Sequence, residues 1–166
     1  MNEYLDKLAS MTKRVSFTAR IKGMPEVVSR PARRIKMIGT FLDEEDSITS
    51  ILLEVADTEE KRSRGMMGRK SLPEICGMLF TGLGGGGYFW MKDCLIPLDV
   101  AFMDSRGYIR KTYSMKVDKS GRTRYEYGPD VVSAVELPHG FLNKWGIRTG
   151  YSFFARKLLG RDGGNG

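Results

Sequence analysis

The clearest candidates for chemistry in this chain are charged side chains that interrupt apolar segments. One such segment, residues 87–104, reads GYFWMKDCLIPLDVAFMD. Because a polar group taken out of water costs a few kcal/mol unless it is paired, each charge there points to solvent or has a partner. A cation beside two carboxylates is the minimum for acid–base chemistry, since a neighbouring charge and burial can separate two pKa values. The hypothesis of a site therefore places these side chains on one concave face: Arg69, Trp90, Lys92, Asp99 and Glu136.

A structural interpretation of the same segment is the one that the sequence favours. Pro97 has no N–H to donate to a strand ladder, so a strand must break or lie at a sheet edge there. Asp99 follows this break, where a carboxylate can accept backbone N–H groups and hold a turn. Lys92 would then lie over Trp90, and Trp90 would fill the core.

Motifs for other kinds of chemistry are missing from the sequence. It has neither the Gly-x-Ser-x-Gly turn of hydrolases nor a Walker-type phosphate loop. Its only histidine is His139, and its only cysteines are Cys76 and Cys94, which excludes four-ligand zinc sites built from Cys and His. A three-ligand site and a disulfide stay open as alternatives. We therefore expect no enzyme activity, no metal and no cofactor.

Positive charge is concentrated at the start of the chain. Residues 1–40 hold nine basic and three acidic side chains, whereas the whole chain has a formal net charge of +7. Such an arm suits an acidic partner, either nucleic acid or an acidic protein surface, and a solvated basic face is the alternative. The arm residues expected to contact a partner form an apolar stripe at helical spacing and a basic cluster: Tyr4, Leu5, Leu8, Met11, Arg30, Arg33 and Arg34.

Most of the remaining chain shows the two-residue alternation of β-strands. The pattern predicts strands in VSFTARI, around residues 35–40, and in ILLEVAD, GMLF, YFWM and VVSAVEL, with a hairpin turn at residues 104–107. The capping-box spacing of Asp57 and Glu60 predicts a helix of about two turns that ends at Gly65, and Ser71 and Glu74 repeat that spacing. The segment PHGFLNKWG predicts another short helix.

These elements predict a mostly β fold. We expect a compact, antiparallel, barrel-like domain, closed or nearly closed to avoid exposed edges, with two or three short helices and an N-terminal extension of a helix and strands. The expected organisation is a basic N-terminal arm over residues 1–48, a β-rich domain over residues 49–159 and a glycine-rich tail over residues 160–166.

Three blocks of this sequence resemble one known family. They are VADTEEKRSRGMMGRKSLPEICGMLF, FWMKDCLIPLDVAFMDSRG and AVELPHGFLNKWGIRTG, and in this order they resemble the domain of unknown function 192 family over about residues 51–153. The resemblance implies a small β-rich domain and no assigned activity. The chain departs from the family pattern at Cys94, in the glycine run 84–87 and in residues 118–130. Because it has no leader peptide, it resembles the versions found in tailed bacteriophages.

Two functions from different classes follow from these observations. The favoured one is a non-catalytic assembly module that docks to other subunits of a larger complex, such as a phage virion, through its basic arm, with nucleic acid as a further partner. The alternative is a small-ligand-binding or hydrolytic domain that uses a face formed by Lys92, Asp99 and Glu136. No apolar window approaches the roughly 18 residues that a membrane span requires, so we expect a cytoplasmic protein without a membrane partner.

Overall fold

The computed structural model describes residues 37–43, 45 and 48–157. The predicted N-terminal helix, the strand in VSFTARI, the partner-contacting arm residues and the glycine-rich tail lie outside the described residues. The elements are β1 (Met37–Leu42), β2 (Ile48–Ala56), α1 (Glu59–Arg64), β3 (Cys76–Thr81), β4 (Gly87–Phe89), β5 (Leu98–Asp104), β6 (Ile109–Met115), β7 (Tyr125–Tyr127), β8 (Val131–Pro138), α2 (Phe141–Lys144) and β9 (Ser152–Lys157). Within this part of the chain, no helix is long and apolar enough to cross a bilayer.

Seven of the strands form one sheet in the order β6-β5-β8-β3-β2-β1-β9, and β4 pairs with β7 in a small second sheet. The mostly β class is confirmed, and all pairs are antiparallel except β2 with β3. That pair is parallel because the chain crosses over through α1 between the two strands.

Of the two forms expected for the barrel-like domain, closed or nearly closed, the closed one is not found, because the large sheet does not close into a barrel. Its two outer strands meet only at one corner, where Ile109 N–H donates to Tyr151 O at 2.8 Å and Phe153 N–H donates to Gly107 O at 2.8 Å. The bridge between Tyr108 and Ser152 is isolated, so no continuous ladder joins β6 to β9.

The first strand also corrects the predicted boundary of the arm. β1 pairs with β2 on one side and with β9 on the other, so it is an interior strand of the large sheet. Residues 37–42 therefore belong to the β domain rather than to an arm that ends at residue 48. The strand predicted around residues 35–40 is the N-terminal part of this element.

Local signals in the sequence explain where several elements begin and end. Helix α1 is capped by Thr58, whose hydroxyl accepts the Lys61 N–H at 3.3 Å, and Gly65 ends it with a φ of +45°. The predicted cap at Asp57 is one residue too early, and its carboxylate instead pairs with Lys61 Nζ at 2.6 Å. The spacing of Ser71 and Glu74 forms no helix, because β3 already begins at Cys76.

The hairpin and the strand break are confirmed. The Asp104 carboxylate accepts the N–H groups of Arg106 and Tyr108 at 2.9 and 3.0 Å and so holds the turn between β5 and β6. β5 begins directly after Pro97. The strand predicted in YFWM ends early, at Phe89.

Each face of the large sheet carries its own hydrophobic core. Cross-strand partners lie on the same face, so the registers assign every strand residue to one of the two. The first face packs against α2, and its core contains Phe41, Ile51, Leu53, Leu79, Ala101, Met103, Ile109, Val135, Leu137, Phe141, Leu142, Ile147 and Phe153. The second face is covered by the two segments that flank β3, residues 65–75 and 82–97, and by the small sheet. Its core contains Ala56, Met66, Met78, Phe80, Met91, Cys94, Leu98, Val100, Phe102, Met115, Val131 and Ala134.

Candidate functional site

A single carboxyl group lies in the middle of the second, apolar face. Glu136 is on β8 and pairs with Met78 on one side and with Val100 on the other, so both neighbouring strands place apolar side chains beside it. The residue is 5% exposed. Its Oε2 is buried and has no hydrogen-bond partner among the residues that the structure describes. Because most buried polar atoms in proteins are paired, this oxygen requires an explanation.

The environment of Glu136 keeps its carboxyl protonated. Burial raises the pKa of Glu136 to about 8, although the nearby Arg69 guanidinium acts in the opposite direction. At neutral pH the group is therefore mostly uncharged, and it can both donate and accept a hydrogen bond. A titratable group with a strongly shifted pKa in a concave site is a candidate functional residue.

Glu136 lines a cleft of about 340 Å³, called here the Glu136 cleft. One wall consists of α1 and the residues that follow it, and the other consists of the loop before β4, β4 itself and β7. The lining residues are Glu59, Arg62, Ser63, Arg64, Gly65, Met66, Met67, Phe80, Leu83, Tyr88, Phe89, Trp90, Cys94, Tyr127 and Glu136. The cleft thus combines aromatic walls with one buried polar group, which is the usual composition of a small-molecule site.

An ion pair beside the cleft joins Arg69 to Glu54 rather than to Glu136. Arg69 donates two hydrogen bonds to the Glu54 carboxylate, from Nη1 to Oε1 at 2.6 Å and from Nη2 to Oε2 at 2.8 Å. The hydrogen bonds that Arg69 donates to Glu54 raise the pKa of Arg69. Glu54 pairs with Met78 across β2 and β3, and Met78 pairs with Glu136, so both carboxylates lie in one row on the second face. Of these two carboxylates, Arg69 forms its hydrogen bonds with Glu54.

The cleft also contains a thiol that is not activated. Burial first, and then the charges of Glu136 and Asp93, raise the pKa of Cys94 to about 11. Burial likewise raises the pKa of Cys76. Both cysteines are free. Since the thiolate is the nucleophilic form, neither residue has the environment of a catalytic cysteine.

Asp99 lies on the opposite face of the sheet from Glu136. Its register partner is Leu137, whereas Glu136 pairs with the neighbouring Val100, so the two carboxylates point in opposite directions. Asp99 is fully buried and accepts hydrogen bonds from Ser114 Oγ at 2.7 Å and from Leu142 N–H at 3.0 Å. His139 Nδ1 lies 3.4 Å from Asp99 Oδ1. The geometry is that of a structural acceptor which anchors α2.

The structure brings some of the predicted site residues together and separates others. Trp90 and Glu136 both line the cleft, and Arg69 lies close enough to influence the Glu136 pKa. Lys92 is exposed, with Nζ 5.5 Å from the centre of the Trp90 ring, as the structural interpretation predicts. Trp90 itself is half-buried in the cleft wall rather than in the core. The predicted face of Lys92, Asp99 and Glu136 therefore does not exist as one surface.

Several residues of the site are absent from the sequence hypothesis. The charged ones are Glu54, which pairs with Arg69, and three lining residues, Glu59, Arg62 and Arg64. Cys94 and Tyr127 are further lining residues. Glu54 carries the same signal as Glu136, because it is a charge within an alternating apolar strand. Arg62 donates from Nη1 to Thr81 O at 2.9 Å, which holds its helix against β3, and no local pattern predicts this contact.

In the described part of the chain, no three His, Cys, Asp or Glu side chains are grouped so that they could hold a metal ion. A bound ligand would therefore have to interact with Glu136 and with the aromatic walls. The arrangement can hold one polar group of a ligand at the carboxyl and enclose an apolar body.

Comparisons with known proteins identify the domain. The family model of DUF192, described as "Uncharacterized ACR", matches residues 40–153. Among proteins with curated descriptions, none matches the chain. A crystal structure from Sinorhizobium meliloti 1021, described as a "putative transcription regulator", is similar with a TM-score of 0.68 at 22% identity, and the match covers 76% of this chain and 98% of that one. A protein of unknown function from Novosphingobium aromaticivorans is similar with a TM-score of 0.67 at 22% identity, covering 84% of this chain and 98% of that one. At this identity the likeness shows the fold alone.

Proposed function

The chain belongs to the DUF192 family, and because that family is uncharacterised, we propose from the geometry that this domain binds a small organic ligand in the Glu136 cleft. The observation that carries the proposal is the buried Oε2 of Glu136, which has no partner in the described part of the chain although the side chain lines a cleft. A buried polar atom left unpaired costs about 1–3 kcal/mol. A ligand that hydrogen-bonds to this oxygen would remove that cost.

The composition of the cleft supports binding over hydrolysis. Its lining offers one buried carboxyl group, Glu136, because the other lining carboxylate, Glu59, is exposed on α1, and the thiol of Cys94 is held in the protonated form. The second carboxylate of the predicted acid–base pair, Asp99, points to the other face of the sheet. General acid–base catalysis on the pattern of paired carboxyls would require a second group in the same site.

The test uses Trp90 as a fluorescent reporter inside the cleft. The chain has two tryptophans, Trp90 and Trp145, so the full-length Trp145→Phe variant reports from Trp90 alone. Trp145 packs on Phe141 of the first face, away from the cleft residues. We expect saturable changes in Trp90 emission with at least one of three probes: benzyl alcohol, benzylamine or benzoate.

The matched control is Trp90→Phe, which retains only Trp145 and should show no saturable change. Folding of both variants is checked by circular dichroism. A folded Trp145→Phe variant whose emission responds to none of the probes up to their solubility would overturn the proposal.

The charge of residues 1–40 supports a second candidate function, docking to a larger assembly. In this proposal the basic arm contacts other protein subunits, and a phage virion is one such assembly. The test is a pull-down with the full-length chain beside a chain lacking residues 1–36, which leaves β1 intact. We expect only the full-length chain to recover an assembly. Recovery of the same proteins by both chains would exclude the arm as the docking element, and recovery of nucleic acid alone would replace the protein partner by DNA or RNA.

A further inference from the structure

The charge distribution around the Glu136 cleft indicates the chemical class of its ligand. We infer that the ligand presents a cationic head, a protonated amine or an amidinium group, to the Glu136 carboxylate. The inference rests on the proposed ligand-binding function and specifies what the cleft would recognise.

The first observation is that no cationic side chain of the described residues forms an ion pair or a hydrogen bond with Glu136. The nearest cation, Arg69, makes both of its short hydrogen bonds to Glu54, and no ion pair to Glu136 is formed in the described part of the chain. The strand neighbours Met78 and Val100 are uncharged. A buried carboxylate without a paired cation is strongly unfavourable, which is why Glu136 holds its proton in the absence of a ligand. A cationic group on a ligand would provide the missing partner.

The second observation is the chemistry of the walls. The rings of Phe80, Phe89 and Tyr127 line the cleft, and the thioether of Met66 lies with them. The faces of aromatic rings carry negative partial charge and attract cations, by about 0.5–2 kcal/mol for each well-placed pair. An anionic head would meet both these rings and the carboxyl, so it is disfavoured. A neutral head would gain neither the ion pair nor the cation–π attraction.

The charged groups around the cleft limit the ligand to one cationic head. Helix α1 contributes Glu59 and Arg62 to the lining, and Arg64 ends the helix. These groups are nearer to solvent than Glu136, because α1 contains no buried residue. With two arginines and one glutamate, this rim is net positive and offers no second binding position for a cationic group, so Glu136 is the one place in the cleft for such a head. The ligand that fits is a single cation on an apolar or aromatic body.

The remaining titratable groups that face Glu136 come from three other segments. They are Arg69 and its partner Glu54, the thiol of Cys94 with Asp93 beside it, and the hydroxyl of Tyr127. Burial raises the pKa of the Cys94 thiol and of the Tyr127 hydroxyl, so both stay uncharged near neutral pH. Glu136 is consequently the group of the cleft that changes its charge in this range.

This arrangement makes binding of a cation linked to loss of one proton. In the free protein the pKa of Glu136 is about 8, so a cation must first displace the proton. As the pH is raised toward about 8, we expect the affinity for a cation to increase about tenfold for each pH unit. Above about pH 8 the affinity should level off, because Glu136 is already ionised. A ligand that binds the protonated carboxyl would show the opposite trend, because its affinity would fall above that pH.

The experiment compares benzylamine with its neutral analogue benzyl alcohol and with the anion benzoate, using the full-length Trp145→Phe chain. We expect benzylamine to bind at least about tenfold more tightly than either analogue near pH 8, and its affinity to fall as the pH is lowered to 6. Glu136→Gln should remove the preference for benzylamine. Glu60→Gln is the matched control, because Glu60 is exposed on the same helix as Glu59 and does not line the cleft.

The outcomes separate this inference from the proposed function. If benzyl alcohol or benzoate binds as tightly as benzylamine, the cation is not recognised and only this inference is overturned. A benzylamine affinity that does not depend on pH also overturns this inference. This second test needs no substitution of Glu136, so it does not depend on whether the Glu136→Gln variant folds. If none of the three probes binds, the ligand-binding function and this inference fail together.

Discussion

The unpaired carboxyl of Glu136 should make the stability of this domain fall as the pH rises through the neutral range. Its pKa is about 8 in the folded chain, against an ordinary value of 4.5. Between these two values the folded state holds a proton that the unfolded state has lost. The unfolded state then binds fewer protons, so the free energy of unfolding decreases with increasing pH.

The size of the effect follows from the same pKa values. Each pH unit between the two pKa values changes the free energy of unfolding by about 1.4 kcal/mol, which gives about 2.7 kcal/mol from pH 5 to pH 7. Glu136→Gln retains the size and hydrogen-bonding groups of the protonated side chain but cannot ionise. The variant should therefore exceed the stability of the original chain by less than about 1 kcal/mol at pH 5 and by about 3 kcal/mol at pH 7.

The assay is urea unfolding followed by tryptophan fluorescence at pH 5, 6, 7 and 8, in both chains. Other groups titrate in both chains, so their contribution cancels in the difference. Hydrogen bonds lower the pKa of Asp57, chiefly from Lys61, and of Asp118, chiefly from Ser120. Stability from those two groups is lost only in acid, below this range. The control Glu60→Gln should track the original chain at every pH.

A difference between the two chains that stays constant from pH 5 to pH 8 would refute the reasoning. It would mean that the pKa of Glu136 is the same in the folded and unfolded states. The carboxyl would then be solvated or paired, and the argument for the Glu136 cleft would lose its main observation.

Three further predictions concern the surroundings of the site. Asp99→Ala should lower the free energy of unfolding by about 1–3 kcal/mol, because the buried donors that it accepts become unpaired, and urea unfolding that shows no loss would contradict the structural role of Asp99. Iodoacetamide should modify Cys94 more slowly than the half-buried Cys76 in the folded chain, as followed by peptide mass spectrometry; equal rates would show that the thiol in the cleft is accessible and reactive. Gly107→Ala should destabilise the corner where β6 meets β9 by about 1–3 kcal/mol, because Gly107 has a φ of +83° and its Cβ would lie 2.5 Å from Phe153 O; an unchanged melting temperature would show that the corner can relax.

Much of the local structure could be predicted from the sequence. The helix that ends at Gly65, the strand that starts after Pro97 and the turn at Asp104 all depend on residues within a few positions of each other. The structural role of Asp99 was predicted from its position after the proline. In contrast, the spacing of Ser71 and Glu74 was misleading, since a strand that pairs with β2 begins two residues later.

The candidate site could be predicted only in part, because the face on which a strand residue lies depends on register. Glu136 was named from the sequence as one member of the predicted site, and the structure places it in the cleft. Its grouping with Asp99 failed because the antiparallel partners are Val100 with Glu136 and Leu137 with Asp99, which places the two carboxylates on opposite faces. A shift of one residue in register would have reversed this result.

The sequence by itself determined the β class and most of the strands, since these depend on local alternation. The tertiary structure decided that the large sheet does not close into a barrel and that β1 belongs to this sheet. It also decided that Glu136 and Trp90 line the same cleft. The same structure pairs Arg69 with Glu54, so that Glu136 Oε2 has no hydrogen-bond partner among the described residues. These features depend on contacts between segments that are distant in the chain, and no local pattern specifies which of several partners a side chain will reach.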